Sequence, residues 1–401
     1  MHTATSFVLT LLVLGYAVVS GLVNRWYVAP ALIFVVIGMV FGPFGFNLLA
    51  AGSGTDGYTV LAQLALTVIL FNQAAKLDPT TVFRRGHLTV RLLVIGIPLT
   101  FALGTLTAVV LLPVLPWWEA VCLAAIVAPT EVALIDALLE DDRIPDRVRN
   151  ALSVESGFYD GFALAVLLGA LALASARTDQ HPSDWGWFVV RTEFVSLIIG
   201  AGVGLLGALL IAWSRKRAWM SDTWAQLATL AIALICFEFG ERVHASGFVA
   251  AFTGGLAFAV VAHRGKTQLS TQVSDATAQL LELLVFAMFG AFAVIDAWQH
   301  ITWRVLLFCV VALFGVRMVA VLVALIRTDL PAYSRLFIGW FGPRGIGTVV
   351  LGLLVIARGD IQHAELLTQA GVIAVTLSLV LHSLTAPLGI ARYERLAPSP
   401  G

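Results

Sequence analysis

Five ionisable residues stand inside runs otherwise apolar enough to cross a membrane. Glu131 lies in "VAPTEVAL", Glu155 and Asp160 in "LSVESGFYDGFALAVLLG", Arg317 in "LFGVRMVAVLV" and Arg344 in "FGPRGIGT". A charge in hydrocarbon is costly, so such residues are kept as ion pairs, proton relays or cation sites. Asp160 and Glu155 are five residues apart, about 140° round a helix, so the two carboxylates face different neighbours. Arg317 is the natural counter-ion for one of them, and we pair it with Glu155. A buried pair adds little stability, but losing either member strands an expensive charge. Asp160 is then a carboxylate without a permanent partner, able to hold a proton or a small monovalent cation, which is the physical core of proton–cation exchange. Its bland reading is a permanently protonated acid in a helix–helix hydrogen bond. Glu131 and Thr130 have a bland reading too, as caps of locally broken backbone. His382 reads as a buried hydrogen-bonding residue, and Asp136, Glu238, Glu282 and Asp296 as residues near helix ends in contact with solvent.

The elements that must hold these groups are membrane helices. Hydrophobic residues make up 59% of the 401 and charged residues 12%, with a mean hydropathy of +0.93. That leaves too little charge to cover a soluble surface, and apolar runs of spanning length recur throughout. The fold class is therefore an all-α polytopic membrane protein. Its segments fall near 6–23, 28–43, 58–76, 88–115, 117–140, 149–175, 186–213, 222–240, 246–263, 277–298, 302–327, 333–357 and 366–391. The first has no basic flank or small-residue cleavage site and reads as a retained helix, not a signal peptide. Cys122, Cys236 and Cys309 lie inside spans without metal-ligand spacing and read as packing residues. Of the 24 Lys and Arg residues, seventeen fall on one set of loops and five on the other. The excess marks the cytoplasmic side, so the N-terminus is expected outside and the C-terminus inside.

The fifth and twelfth segments are interrupted, one by Pro129, the other by Gly342, Pro343, Gly345 and Gly347. Irregular backbone at membrane depth is tolerated only where protein buries it or it lines a wet cavity. Breaks at matching positions of two inverted halves point to a transporter's binding site. The expected organisation is one transporter domain, 1–391, comprising a first inverted repeat (6–175), a linker helix (186–213) and a second repeat (222–391). A short cytoplasmic tail, 392–401, is expected at the end, with no soluble regulatory domain.

These residues resemble a known family: the monovalent cation–proton antiporters of the first cation/proton antiporter family, the bacterial and archaeal sodium/proton exchangers related to animal exchangers. The resemblance rests on "TEVAL" with Thr130 and Glu131, "ESGFYDG" with Glu155, Ser156, Tyr159, Asp160 and Gly161, Arg317, "GPRG" with Arg344, and "SGFVAAFTGGLAF". It runs through essentially the whole chain in the family's order. Tyr159 stands where the family has Asn, and Glu131 where it has Asp followed by Pro.

The resemblance implies a secondary transporter, not an enzyme, exchanging sodium, lithium or potassium for protons. It implies Thr130, Glu131, Ser156, Tyr159 and Asp160 as the cation and proton site, with Asp160 the ligand of Na+ or K+. It further implies a homodimer in the lipid bilayer of a bacterial plasma membrane, working by an elevator motion. Segments 4–6 and 11–13 would move against 1–3 and 8–10. With one unpaired carboxylate and Tyr159 neutral, exchange is expected to be electroneutral. No cofactor and no nucleic acid are expected as partners. Two other classes bear on the same residues: a channel or non-transporting sensor of this fold, and an intramembrane aspartyl protease. The protease would need a second aspartate to join Tyr159–Asp160, and only Asp360 in "ARGD" offers itself.

Overall fold

A computed structural model describes residues 2–24, 28–49, 54–77, 87–131, 134, 141, 143–176, 182–264, 271–358 and 361–396. Among them every regular element is helical. In chain order these are α1 (His2–Asn24), α2 (Pro30–Phe41), α3 (Gly54–Lys76), α4 (His87–Leu111), α5 (Trp117–Val127), α6 (Asp146–Ala176) and α7 (Pro182–Lys216). Next come α8 (Asp222–Arg242), α9 (Gly247–Arg264), α10 (Gln272–Gln299), α11 (Trp303–Ala324), α12 (Ala332–Trp340), α13 (Ile346–Arg358) and α14 (Ala364–Leu396). Among the described residues eight helices are long and apolar enough to cross a membrane, and α1, α2, α5, α9 and α13 carry shorter apolar stretches. The all-helical membrane architecture expected from the sequence is what the chain adopts.

The two expected interruptions are present. α5 stops at Val127: Ala128 still bonds the carbonyl of Ala124, but Pro129 has no N–H with which to continue the ladder. The predicted fifth segment ran on to 140; Ala128–Glu131 is not helical, and most of 132–140, Asp136 included, lies outside the described residues. The predicted twelfth segment is two helices, α12 and α13, parted by 341–345, where Gly342 and Pro343 end the first. At the C-terminal end the helix continues past the predicted 391 to Leu396. Packing explains the extension: Tyr393 is buried with its hydroxyl 2.8 Å from Ser334 Oγ, and Glu394 pairs with Arg143 at 3.0 Å.

Three helices contain a π-helical turn: Leu92–Gly96 in α4, Gly290–Val294 in α10 and Val311–Val316 in α11. The extra residue of such a turn rotates the remainder of its helix about the axis. The third turn hands directly to Arg317 and sets the direction in which that side chain leaves α11.

The helices gather into two compact units. One holds Met1–Thr59, His87–Tyr159 and Leu283–Gly401; the other holds Val60–Gly86 and Asp160–Glu282. In the first, α4 packs on α5, α11 on α12, α13 on α14, and α2 on the π turn of α10. In the second, α7, α8 and α9 pack closely on one another. Small residues permit this, as at Gly204, where an added Cβ would fall 2.1 Å from the carbonyl oxygen of Gly254. The helices expected to move together, segments 4–6 and 11–13, fall in the first unit apart from the second half of α6. The expected scaffold is divided between the two units.

Candidate functional site

Within the first unit the two helix breaks meet. The backbone N–H of Glu131 donates to the carbonyl of Pro343 at 2.7 Å, and Arg344 Nη1 donates to the carbonyl of Pro129 at 3.2 Å. Arg344 N–H donates to Ser378 Oγ of α14 at 2.7 Å. Backbone groups released by one interruption are thus met by the other, or by a neighbouring hydroxyl. An unmet group at this depth would cost several kcal/mol. The closeness requires glycine: a Cβ on Gly345 would lie 2.6 Å from Glu131 Cβ. Glu131 is buried (3% exposed), as are Thr130 and Arg344. Thr130 contributes its carbonyl, which accepts a bond from Ser156 Oγ of α6. Both Glu131 and Thr130 therefore take part in tying up broken backbone through their main chains.

Glu155 and Arg317 form the expected pair. Arg317 Nη1 donates to Glu155 Oε1 at 2.9 Å and Nη2 to Oε2 at 3.3 Å, with a further bond from Nη2 to the carbonyl of Ile338 at 3.3 Å. Arg317 is 1% exposed and Glu155 2%. The planar guanidinium meets the planar carboxylate two bonds to two, a match that lysine cannot make. Gly342 leaves the passage: a Cβ there would sit 1.9 Å from Arg317 Nε.

Tyr159 is fully buried, in an apolar cluster with Ile97 and Ala128, flanked by Leu93 and Phe101. It lies one turn beyond Glu155 on α6. It makes no bond to Glu155; the ring instead packs edge-on to Phe101, centroids 6.1 Å apart. His382 behaves as a structural residue. Nε2 donates to the carbonyl of Trp340 at 2.9 Å and Nδ1 lies 3.1 Å from Ser378 Oγ, so the ring ties α14 to the end of α12.

Asp160 begins the second unit's part of α6 and is buried (3% exposed). On α6 it shares a face with Ser156, one turn earlier. Its side chain takes a hydrogen bond from Gln73 of α3. Oδ2 has no hydrogen-bond partner, and no cationic side chain pairs with this carboxylate among the described residues. Next to Gln73, Asn72 Oδ1 accepts from Ser274 Oγ of α10 at 2.7 Å, and one turn on, Lys76 pairs with Asp275 at 3.0 Å.

Two groups escaped the sequence reading. Gln73 and Asn72 are visible as a polar pair within the apolar run "VILFNQAAK", but no charge drew attention to them. Glu119, at the start of α5, is 2% exposed and accepts from His363 Nδ1 at 2.7 Å and from Gln362 N–H at 3.1 Å. One expectation is corrected: Glu282 is not a solvent-facing end residue but is buried (7% exposed) well inside α10. Glu238 and Asp296 are exposed as expected, and Asp360 lies outside the described residues.

Comparison with known proteins places this geometry. The family described as "Sodium/hydrogen exchanger, transmembrane" matches residues 8–389. The K(+)/H(+) antiporter NhaP of Alkalimonas amylolytica is 27% identical over 396 residues, covering 97% of this chain and 67% of the relative. A probable Na(+)/H(+) antiporter of Schizosaccharomyces pombe is 25% identical, covering 87% of this chain and 49% of the relative. The chain thus spans about two thirds of the first relative and about half of the second. Among solved structures, the sodium proton antiporter MjNhaP1 of Methanocaldococcus jannaschii has the same fold at 20% identity. Its TM-score is 0.73, over 97% of this chain and 99% of that one.

Proposed function

Because this chain belongs to the sodium/hydrogen exchanger family, we propose that it is a secondary active antiporter exchanging protons for a monovalent cation: sodium, lithium or potassium. The observation that carries this reading is the division of labour between the two carboxylates of α6. Glu155 is held two bonds to two by Arg317, whereas Asp160 meets only the neutral amide of Gln73 and keeps one oxygen unpartnered. Asp160 is the shared carrier. Cation and proton exclude each other there because both neutralise the same charge.

The crossed breaks, with Thr130, Glu131, Ser156 and Arg344, form the frame of the cation path, and the main-chain bonds of Glu131 suit a fixed role for that residue. Arg344 donates to the carbonyl of Pro129, just beyond the end of α5, where the helix dipole is negative. Two inverted repeats, 6–175 and 222–391, account for interruptions at matching positions of α5 and α12–α13. Alternating access by an elevator motion, a homodimer, a bacterial plasma-membrane setting and an outside N-terminus complete the proposal. Exchange is electroneutral, one proton for one cation.

The test is reconstitution of the purified chain in liposomes with a pH-sensitive dye inside. A sodium, lithium or potassium gradient should drive proton movement that persists when the membrane potential is clamped. No cation-driven proton movement with any of the three ions, from correctly folded protein, refutes the function.

A further inference from the structure

The turn between α7 and α8 carries a feature that ion exchange does not use. The last turn of α7 and the connection to α8 read "WSRKRAWMSD", and the chain reverses at Ala218 in left-handed backbone, φ 54°. Glycine is the ordinary residue for that conformation, and a Cβ there is strained. The cap is nevertheless complete: Trp219 N–H bonds the carbonyl of Ser214 at 3.0 Å and Ala218 N–H that of Arg215 at 2.9 Å. The reversal folds Trp219 back against Trp213, ring centroids 4.9 Å apart and nearly perpendicular. Arg217 lies over both indoles, its Cζ 5.0 Å from the Trp213 ring and 5.4 Å from that of Trp219.

Charge and exposure give this platform a direction. Arg215 is engaged by Asp222. Lys216 and Arg217 are exposed, and neither meets a carboxylate among the described residues. Trp213 and Trp219 remain 46% and 66% exposed. Behind them Leu206, Leu209 and Leu210, exposed by 62%, 48% and 64%, continue the Trp213 face of α7 at spacings of three and four residues. A narrow apolar row on α7 therefore runs up to two indoles and ends at two uncompensated cations. Indoles settle at the level of lipid headgroups. A guanidinium stacked on aromatic rings keeps its N–H edge free for phosphate oxygens.

We propose that this turn is a binding site for an anionic phospholipid, whose phosphate is held by Arg217 and Lys216 and whose chain lies along Leu206, Leu209 and Leu210. The stripe selects a lipid over a soluble anion, because phosphate alone gains nothing from leucines. The rigid cap fixes Arg217 before the lipid arrives, so little ordering is needed on binding.

Native mass spectrometry of the delipidated full chain tests this with three probes: phosphatidylglycerol, phosphatidylcholine and inorganic phosphate. The first phosphatidylglycerol should bind at least about fivefold more tightly than the first phosphatidylcholine, and Arg217→Gln or Lys216→Gln should each weaken it about fivefold. Arg304→Gln is the control, since Arg304 also lies on an indole, that of Trp303, at 5.5 Å but without a second ring; it should change nothing. Equal binding of the two lipids, or unaltered phosphatidylglycerol binding in the two Gln variants, overturns the site. Displacement of the lipid by an equal concentration of inorganic phosphate overturns it in favour of a soluble-anion site. Should Arg217→Gln fail to fold, Lys216→Gln decides alone.

Discussion

Neutralising either member of the Glu155–Arg317 pair should destabilise the protein far more than neutralising both. The two bonds, at 2.9 and 3.3 Å, join groups that are 2% and 1% exposed. At an effective dielectric near 20, opposite charges 4 Å apart attract by about 4 kcal/mol. That attraction roughly offsets the cost of burying the two charges, so the intact pair adds little by itself. Glu155→Gln keeps the burial cost of Arg317 and loses what offset it, and Arg317→Gln does the same to Glu155. Each should cost about 3–5 kcal/mol. In the double variant no charge is stranded, and two amides can hydrogen-bond across the gap. Its cost should fall below that of the milder single variant, a coupling of about 3 kcal/mol or more. Unfolding in mixed micelles titrated with a denaturing detergent, followed by tryptophan fluorescence, reads all four proteins. Strictly additive costs would show that the two side chains do not stabilise one another, and the division of roles on α6 would lose its basis.

Three other outcomes are expected from the same geometry. Gly342→Ala puts a methyl 1.9 Å from Arg317 Nε, so it should lower the unfolding midpoint sharply in the native background and much less alongside Arg317→Gln. Gln73→Ala removes the amide donor to Asp160 and should change the apparent cation affinity in liposomes about tenfold or more, without loss of folded yield. Electroneutral exchange predicts no transient current on solid-supported membranes. A current that scales with the cation gradient and disappears in Glu131→Gln would mean that Glu131 carries a second proton.

Much of this was legible because membrane burial makes charge conspicuous. Arg317 and Glu155 could be paired from sequence, since two opposite charges in apolar runs have few other ways to be satisfied. The helix breaks were legible because proline and glycine act locally. That the breaks would satisfy each other, Glu131 to Pro343 and Arg344 to Pro129, was not, since it depends on how two distant segments cross. Where the Tyr159 ring lies was not legible either, since the apolar surroundings of Ile97 and Phe101, distant in sequence, decide it. Gln73 went unnoticed because a neutral amide in a helix is common, and only its contact with Asp160 gives it meaning. Glu282 was misplaced by the uncertain start of its helix, since α10 begins at Gln272, five residues before the predicted 277.

The central claim is that proton and cation compete for Asp160, and proton release on cation binding tests it most directly. Purified protein in weakly buffered detergent would be titrated with sodium, lithium or potassium chloride, with choline chloride as the control, and the pH recorded. About one proton per chain should be released at saturation with the transported ion, because both ligands neutralise one carboxylate. A folded Asp160→Asn variant should release none. Undiminished release from that variant, or cation binding by the native protein with no proton released, would contradict the central claim.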